Sequence, residues 1–121
     1  MVNPLIADGQ VFGGAAQGIG TALYEEMPFS PEGQPLATTL GDYLLPGSSD
    51  VPHIRIEHML TPSPFTEFGV KGLGEGGAIA PPAAIANAIN DALKPLGVIV
   101  TETPITPRRV LAAIRAAQER A

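Results

Sequence analysis

The chain has 121 residues, 45% of them hydrophobic and 16% charged, which bounds it to one packed globular domain at most and excludes a disordered one. Its net charge of −5, with no basic run, argues against a nucleic-acid partner. With no cysteine it supplies no disulfide, no zinc thiolate and no iron–sulfur ligand, and that absence leaves the compartment open.

The first eight residues, with Val2, Leu5 and Ile6, read as the end of an interior segment. "MVNPLIADG" has no positive stretch followed by an apolar one, so no signal peptide is expected. No apolar run reaches the ~18 residues of a membrane span. Gly9 to Met27 reads as a helix, with Val11, Ala15, Ile19, Ala22 and Leu23 at helical spacing. Gly14 and Gly18 share one face of it. Each costs about 1 kcal/mol against alanine, so the pair predicts close backbone approach to a neighbour or a ligand. Glu25 and Glu26 oppose the dipole at its C-terminal end and call for solvent or a partner cation.

Ser30-Pro31-Glu32-Gly33 is a strong turn, predicting a hairpin or short excursion between Phe29 and Leu40. A loop follows, with a short extended piece at Tyr43–Leu45. "HIRIEHML" alternates, Ile54 and Ile56 one way and Arg55 and Glu57 the other; it is the clearest strand in the chain. "TPSPFTEFG" reads as an extended connector. A helix starts at Ile79 or Pro81 and runs to Leu93, with Pro81 and Pro82 in its first turn, Ile85, Ile89 and Leu93 as its stripe, and Pro95 and Gly97 to end it. "VIVTETP" can form a short strand. Thr106-Pro107 then opens a final amphipathic helix with Val110, Leu111 and Ile114 toward the core. The expected class is therefore α+β: about three helices and a small, mainly antiparallel sheet, forming one incomplete domain over residues 1–121.

"GGAAQGIG" invites a dinucleotide-binding reading, but no strand precedes it, and close helix packing is the plainer account. Gln10 and Gln17 can orient a polar cofactor or can simply be solvated. His53 and His58 fall on opposite faces of the predicted strand, so they do not share a metal, and no metal ligand is assigned. "GVKGLGEGG" is the informative run. Its glycines are costly to order and suit a loop that something bulky approaches. Glu75 stands just before a helix N-terminus with Lys71 nearby, and both favour an ionised carboxylate. An ionised yet dry carboxylate is what a general base requires; the alternative is an exposed loop glutamate with a loose lysine neighbour.

Taken together, "DGQVFGGAAQGIGTALYEEM" and "GVKGLGEGGAIAPPAAIANAI" resemble the C-terminal part of the large subunit of molybdenum hydroxylases, the xanthine dehydrogenase and aldehyde oxidase family. The flavour is that of the bacterial branch with carbon monoxide dehydrogenase large subunits. The resemblance implies a molybdopterin-binding domain with a molybdenum cofactor, in the cytosine dinucleotide form. It implies Gln10 as a pterin contact, Lys71 and Gly74 where the loop approaches the pterin, and Glu75 as the active-site base. The implied reaction oxidises an aldehyde, an N-heterocycle or carbon monoxide with water-derived oxygen. Implied partners are the remainder of the large subunit, an iron–sulfur subunit and an FAD subunit, in the cytoplasm or, as the alternative, the periplasm. Family large subunits are several times longer, so the chain is expected to be a fragment or one piece of a split subunit, inactive alone, with an exposed apolar surface where the rest packs. The competing readings are a non-catalytic assembly module that keeps the fold and a truncated product.

Overall fold

Asn3 starts the first helix: its side-chain Oδ1 accepts the Ile6 N–H at 3.1 Å, and Pro4 takes the first helical position, where a missing N–H costs nothing. The structure, a computed structural model, describes residues 1–120. Helix α1 spans Pro4–Leu23, five residues earlier than the glycine pattern predicts, because the Asn-Pro cap outweighs the apolar periodicity as a start signal. Its buried residues Ala7, Gly18, Ile19, Gly20 and Ala22 include three of the small or apolar positions singled out by spacing.

Next comes a turn at 30–34, where Ser30 N–H donates to Gln34 O at 2.9 Å and Leu36 N–H to Pro28 O at 2.8 Å. This is the expected short excursion, closed by an isolated antiparallel bridge between Phe29 and Pro35. The chain then runs irregularly to a 3₁₀ turn at Glu67–Gly69. The one-turn helix α2, Gly76–Ile79, leads into α3, Pro81–Leu93, which ends in a second 3₁₀ turn and a left-handed Gly97 at φ 63°. Helix α4, Pro107–Gln118, is capped by Thr106, whose Oγ1 accepts from Arg109 N–H.

The expected α+β class does not hold. Three helices of three turns or more are present, but among the described residues there is no strand and no sheet. The alternation at 53–57 is real: Ile54 and Ile56 are half-buried, while Arg55 and Glu57 are exposed and pair with each other. Alternation makes a segment extended, but a sheet also needs a second segment paired to it through the backbone, and no described segment forms a bridge with this one. At 98–101 the ladder partner is replaced by a side chain. Asn90 on α3 donates to Val100 O at 3.0 Å and accepts Val100 N–H at 2.8 Å, satisfying the peptide as a strand would. The connector 61–69 is also less extended than its prolines predict, since Ser63 N–H returns to Gly69 O at 3.1 Å.

The buried core is small: Ala7, Ile19, Ala22, Ala37, Leu93, Val98 and Ile105. Ile105 N–H donates to Ala22 O at 2.6 Å, fastening the approach to α4 onto the end of α1. Val110 and Ile114 are only half-buried and Leu111 is exposed; they border a shallow apolar groove of about 360 Å³ and do not face a closed core. Glu26 finds its cations on α4, with Arg109 at 2.8 Å and Arg108 at 3.4 Å. Large apolar side chains remain on the surface, Phe65 at 94%, Phe68 at 91% and Met59 at 90% exposure among them.

Candidate active-site loop

Helix α1 lacks side chains where α2 and α3 cross it. A Cβ on Gly14 would lie 2.9 Å from both Gly77 Cα and its carbonyl carbon; one on Gly18 would lie 2.7 Å from Pro81 Cβ. Gly77 in turn sits against the Val11 carbonyl. The glycines thus serve close packing, which brings the loop 71–77 down onto α1.

One side chain then ties the two glycine-rich motifs together. Gln10 Nε2 donates to Gly74 O at 2.8 Å across 64 residues of sequence. No described residue donates to the Gln10 amide oxygen, which stays available as an acceptor. Gln10, Lys71 and Leu73 line one open cavity of about 480 Å³, together with His58 and Phe68. Along the loop, a Cβ on Gly72 or Gly74 would meet nothing within 4 Å, so open space lies beside that backbone.

Lys71 and Glu75 do not pair. Lys71 Nζ donates to Thr61 Oγ1, and Glu75 takes part in no ion pair among the described residues. Glu75 is exposed, occupies the N-cap of α2 without a side-chain capping bond, and is not part of the cavity wall. Its backbone carbonyl accepts the Ala78 N–H at 2.9 Å. Four residues of helix sum few peptide dipoles, so the anion-attracting helix mouth expected here is a weak one. The described residues leave Glu75 exposed and do not create the dry carboxylate expected of a base. Gln17 is exposed on α1.

Three neighbours of the loop escaped sequence reasoning. His58 Nε2 lies 2.5 Å from Asp8 Oδ1, tethering the extended segment to α1. Thr61 receives Lys71, and Phe68 holds a left-handed φ of 56° beside the cavity, an uncommon conformation for a large residue. Only Phe68 carries a signal, the Phe-Gly turn; the His58–Asp8 pairing joins segments 50 residues apart, and the Lys71–Thr61 pairing spans ten residues of irregular chain with no pattern to mark it.

A family profile described as the molybdopterin cofactor-binding domain matches residues 1–52. The large subunit of nicotine 6-hydroxylase from Paenarthrobacter nicotinovorans is 44% identical over 95% of this chain and 14% of its own length. The large chain of carbon monoxide dehydrogenase from Hydrogenophaga pseudoflava is 35% identical over 94% of the chain and 14% of its length. In three dimensions, quinoline 2-oxidoreductase from Pseudomonas putida 86 superposes with a TM-score of 0.92 at 50% identity, over 95% of this chain and 15% of that one. The chain belongs to the molybdenum hydroxylase large-subunit family. It spans 14% of the length of the curated relatives named here, so it represents one stretch of such a large subunit. Both motifs fall within the stretch that these molybdenum hydroxylase relatives share, and the Gln10–Gly74 bond shows how they meet. No helix is long and apolar enough to cross a membrane.

Proposed function

We propose that this chain forms the cofactor-side loop of a molybdenum hydroxylase, with Glu75 as general base and Gln10, Lys71 and Gly74 as the residues that hold the pterin. The observation that carries this reading is the 2.8 Å bond from Gln10 to Gly74, which joins both glycine-rich motifs one residue from Glu75. The donor set suits a pterin. No described residue donates to the Gln10 amide oxygen, Lys71 offers a cation, and open space borders the backbone at Gly72 and Gly74. A cavity of about 480 Å³ is in the range of small-molecule sites. The cytosine dinucleotide form of the molybdenum cofactor is the one proposed.

When bound, that cofactor supplies the two-electron acceptor and the activation of water. The chain's contribution is a proton acceptor. In the net reaction a substrate C–H and water become C–OH, releasing two electrons and two protons. The Glu75 carboxylate oxygen takes one of these protons as the nucleophile forms. Electrons leave through iron–sulfur and FAD centres on partner subunits, since a chain with no cysteine holds no such cluster. The remaining large-subunit polypeptide covers the exposed apolar side chains and excludes water around Glu75. Among the three substrate classes, an N-heterocycle is favoured. Relatives at 44% and 50% identity are named for nicotine and quinoline, whereas the carbon monoxide enzyme stands at 35%.

Glu75→Gln in the assembled enzyme tests the assignment. Turnover of an N-heterocycle such as quinoline is expected to fall by about 10²–10⁴-fold while molybdenum and pterin stay bound. Near-normal turnover would remove Glu75 from the role of base. The chain purified alone is expected to carry no stoichiometric molybdenum; finding it there would overturn the need for the rest of the subunit.

A further inference from the structure

Among the described residues Glu75 has no side-chain anchor: it makes no capping bond and no ion pair, and it stands outside the wall of the 480 Å³ cavity. Its position must therefore come from the backbone beneath it. That backbone belongs to a run with glycine at 72, 74, 76 and 77, which left to itself would sample many conformations. We infer that helix α1 acts as a rail for this carboxylate, touching the loop on both sides of Glu75 at two points one helical turn apart, and that Gly14 is a positioning residue for the base. The inference rests on the reading of Glu75 as general base proposed above.

The geometry is specific. Gln10 and Gly14 are four residues apart and so share a face of α1. Gln10 meets Gly74, the residue before Glu75, through its 2.8 Å hydrogen bond. Gly14 meets Gly77 and Ala78, on the other side of Glu75. A Cβ at Gly14 would lie 2.9 Å from Gly77 Cα and 3.0 Å from Ala78 N. These are backbone atoms, so no change of rotamer relieves the clash, and α2 would have to lift away. The Ala78 N–H is also the donor that closes the turn on Glu75 O at 2.9 Å. A shift of Ala78 therefore passes directly to the peptide that carries the carboxylate. Gly13, the next residue along, is a built-in control, since a Cβ there meets nothing within 4 Å.

The test compares Gly14→Ala, Gly13→Ala and Glu75→Gln in the assembled enzyme, with quinoline as the probe substrate. Gly14→Ala is expected to lower kcat on the order of 10²-fold, the effect of a displacement near 1 Å at a reacting group, with KM and molybdenum content kept. Hydrogen exchange across residues 72–79 is expected to speed up in the same preparation, whereas Gly13→Ala leaves both readouts at wild-type values. If Gly14→Ala does not assemble, Gln10→Met removes the donor without adding bulk at the seam, and must accelerate exchange over the same segment. Wild-type kcat and exchange in Gly14→Ala would overturn the inference. So would an equal loss in Gly13→Ala, or a loss matched entirely by missing molybdenum. Turnover surviving Glu75→Gln would instead overturn the base assignment, and the exchange readout would still judge whether α1 seats the loop.

Discussion

Two regions of this chain are built on opposite principles. The seam between α1 and the 74–82 stretch is made by leaving side chains out: Gly14 against Gly77, Gly18 against Pro81 and Pro82, Gly77 against Val11. The stretch 51–66 is made mostly of side chains left uncovered, with Met59 at 90% and Phe65 at 94% exposure. A helix closes its own backbone hydrogen bonds, so where it starts and which face it buries are decided within a few residues. An extended segment closes none, and its final environment depends on polypeptide that lies elsewhere in sequence. The difference separates what a local stretch determines by itself from what it only prepares.

The seam is the easier region to break. Gly18 is buried, and a Cβ there would fall 2.7 Å from Pro81 Cβ and 3.2 Å from Pro82 Cδ, both in rigid rings. Gly18→Val is expected to cost about 3 kcal/mol by overpacking, read as a lowered midpoint of chemical denaturation followed by helix content. A midpoint unchanged by Gly18→Val would mean that α1 and α3 do not touch there in solution.

The same contrast explains how much could be read from sequence. The helix at 81–93 is legible at its end and as one of two starts, Ile79 or Pro81, because Pro81 can open it, Pro95 and Gly97 close it, and Ile85, Ile89 and Leu93 repeat at helical spacing. Gly14 and Gly18 were legible as a packing face, since glycine in a helix interior must be compensated by close approach. The start of α1 lies five residues before the point that apolar periodicity marks, because the Asn3-Pro4 cap sets it. The sheet was not legible correctly at all: alternation at 53–57 reports two faces, and says nothing of whether a neighbour exists. At the candidate site, the motifs single out Gln10, Gly74 and Glu75 as candidates, and the glycine seam accounts for the nearness of Gln10 to Gly74. The Lys71–Glu75 pairing suggested by nearness in sequence is replaced by Lys71–Thr61, because a flexible ammonium goes to whichever acceptor the fold presents.

A second, smaller test concerns a place where an extended segment is satisfied inside the chain by a side chain. Asn90 bonds both the N–H and the C=O of half-buried Val100, in place of a strand neighbour. Asn90→Ala leaves both groups without a protein partner and is expected to destabilise by about 1–2 kcal/mol in the same denaturation assay. Faster hydrogen exchange at Val100 should accompany it. If Val100 keeps its protection in Asn90→Ala, some other group holds the segment, and the substitution of side chain for strand is not what fixes it.

The smallest effect probes one of the side-chain ties between α1 and the irregular half, Tyr43 Oη donating to Glu25 Oε2 at 2.7 Å. That hydrogen bond, with a lesser contribution from desolvation and from the carboxylate's charge, pushes the Tyr43 phenol above its ordinary value near 10. The sign follows from which form the fold prefers. The neutral phenol donates, so the tie is fully present below pH ~10, where the phenol is neutral in folded and unfolded chains alike. Its contribution is lost as pH rises through the elevated folded value. Wild-type protein should therefore lose stability more steeply than Tyr43→Phe as pH rises above ~10 through the elevated folded value, and the two curves should converge at the alkaline end. Other groups titrating in that window are common to both proteins and cancel in the difference. Parallel curves would show that the tie just past the end of α1 adds nothing, leaving the seam at Gly14 and Gly18 and the His58–Asp8 contact to hold the helix against its neighbours.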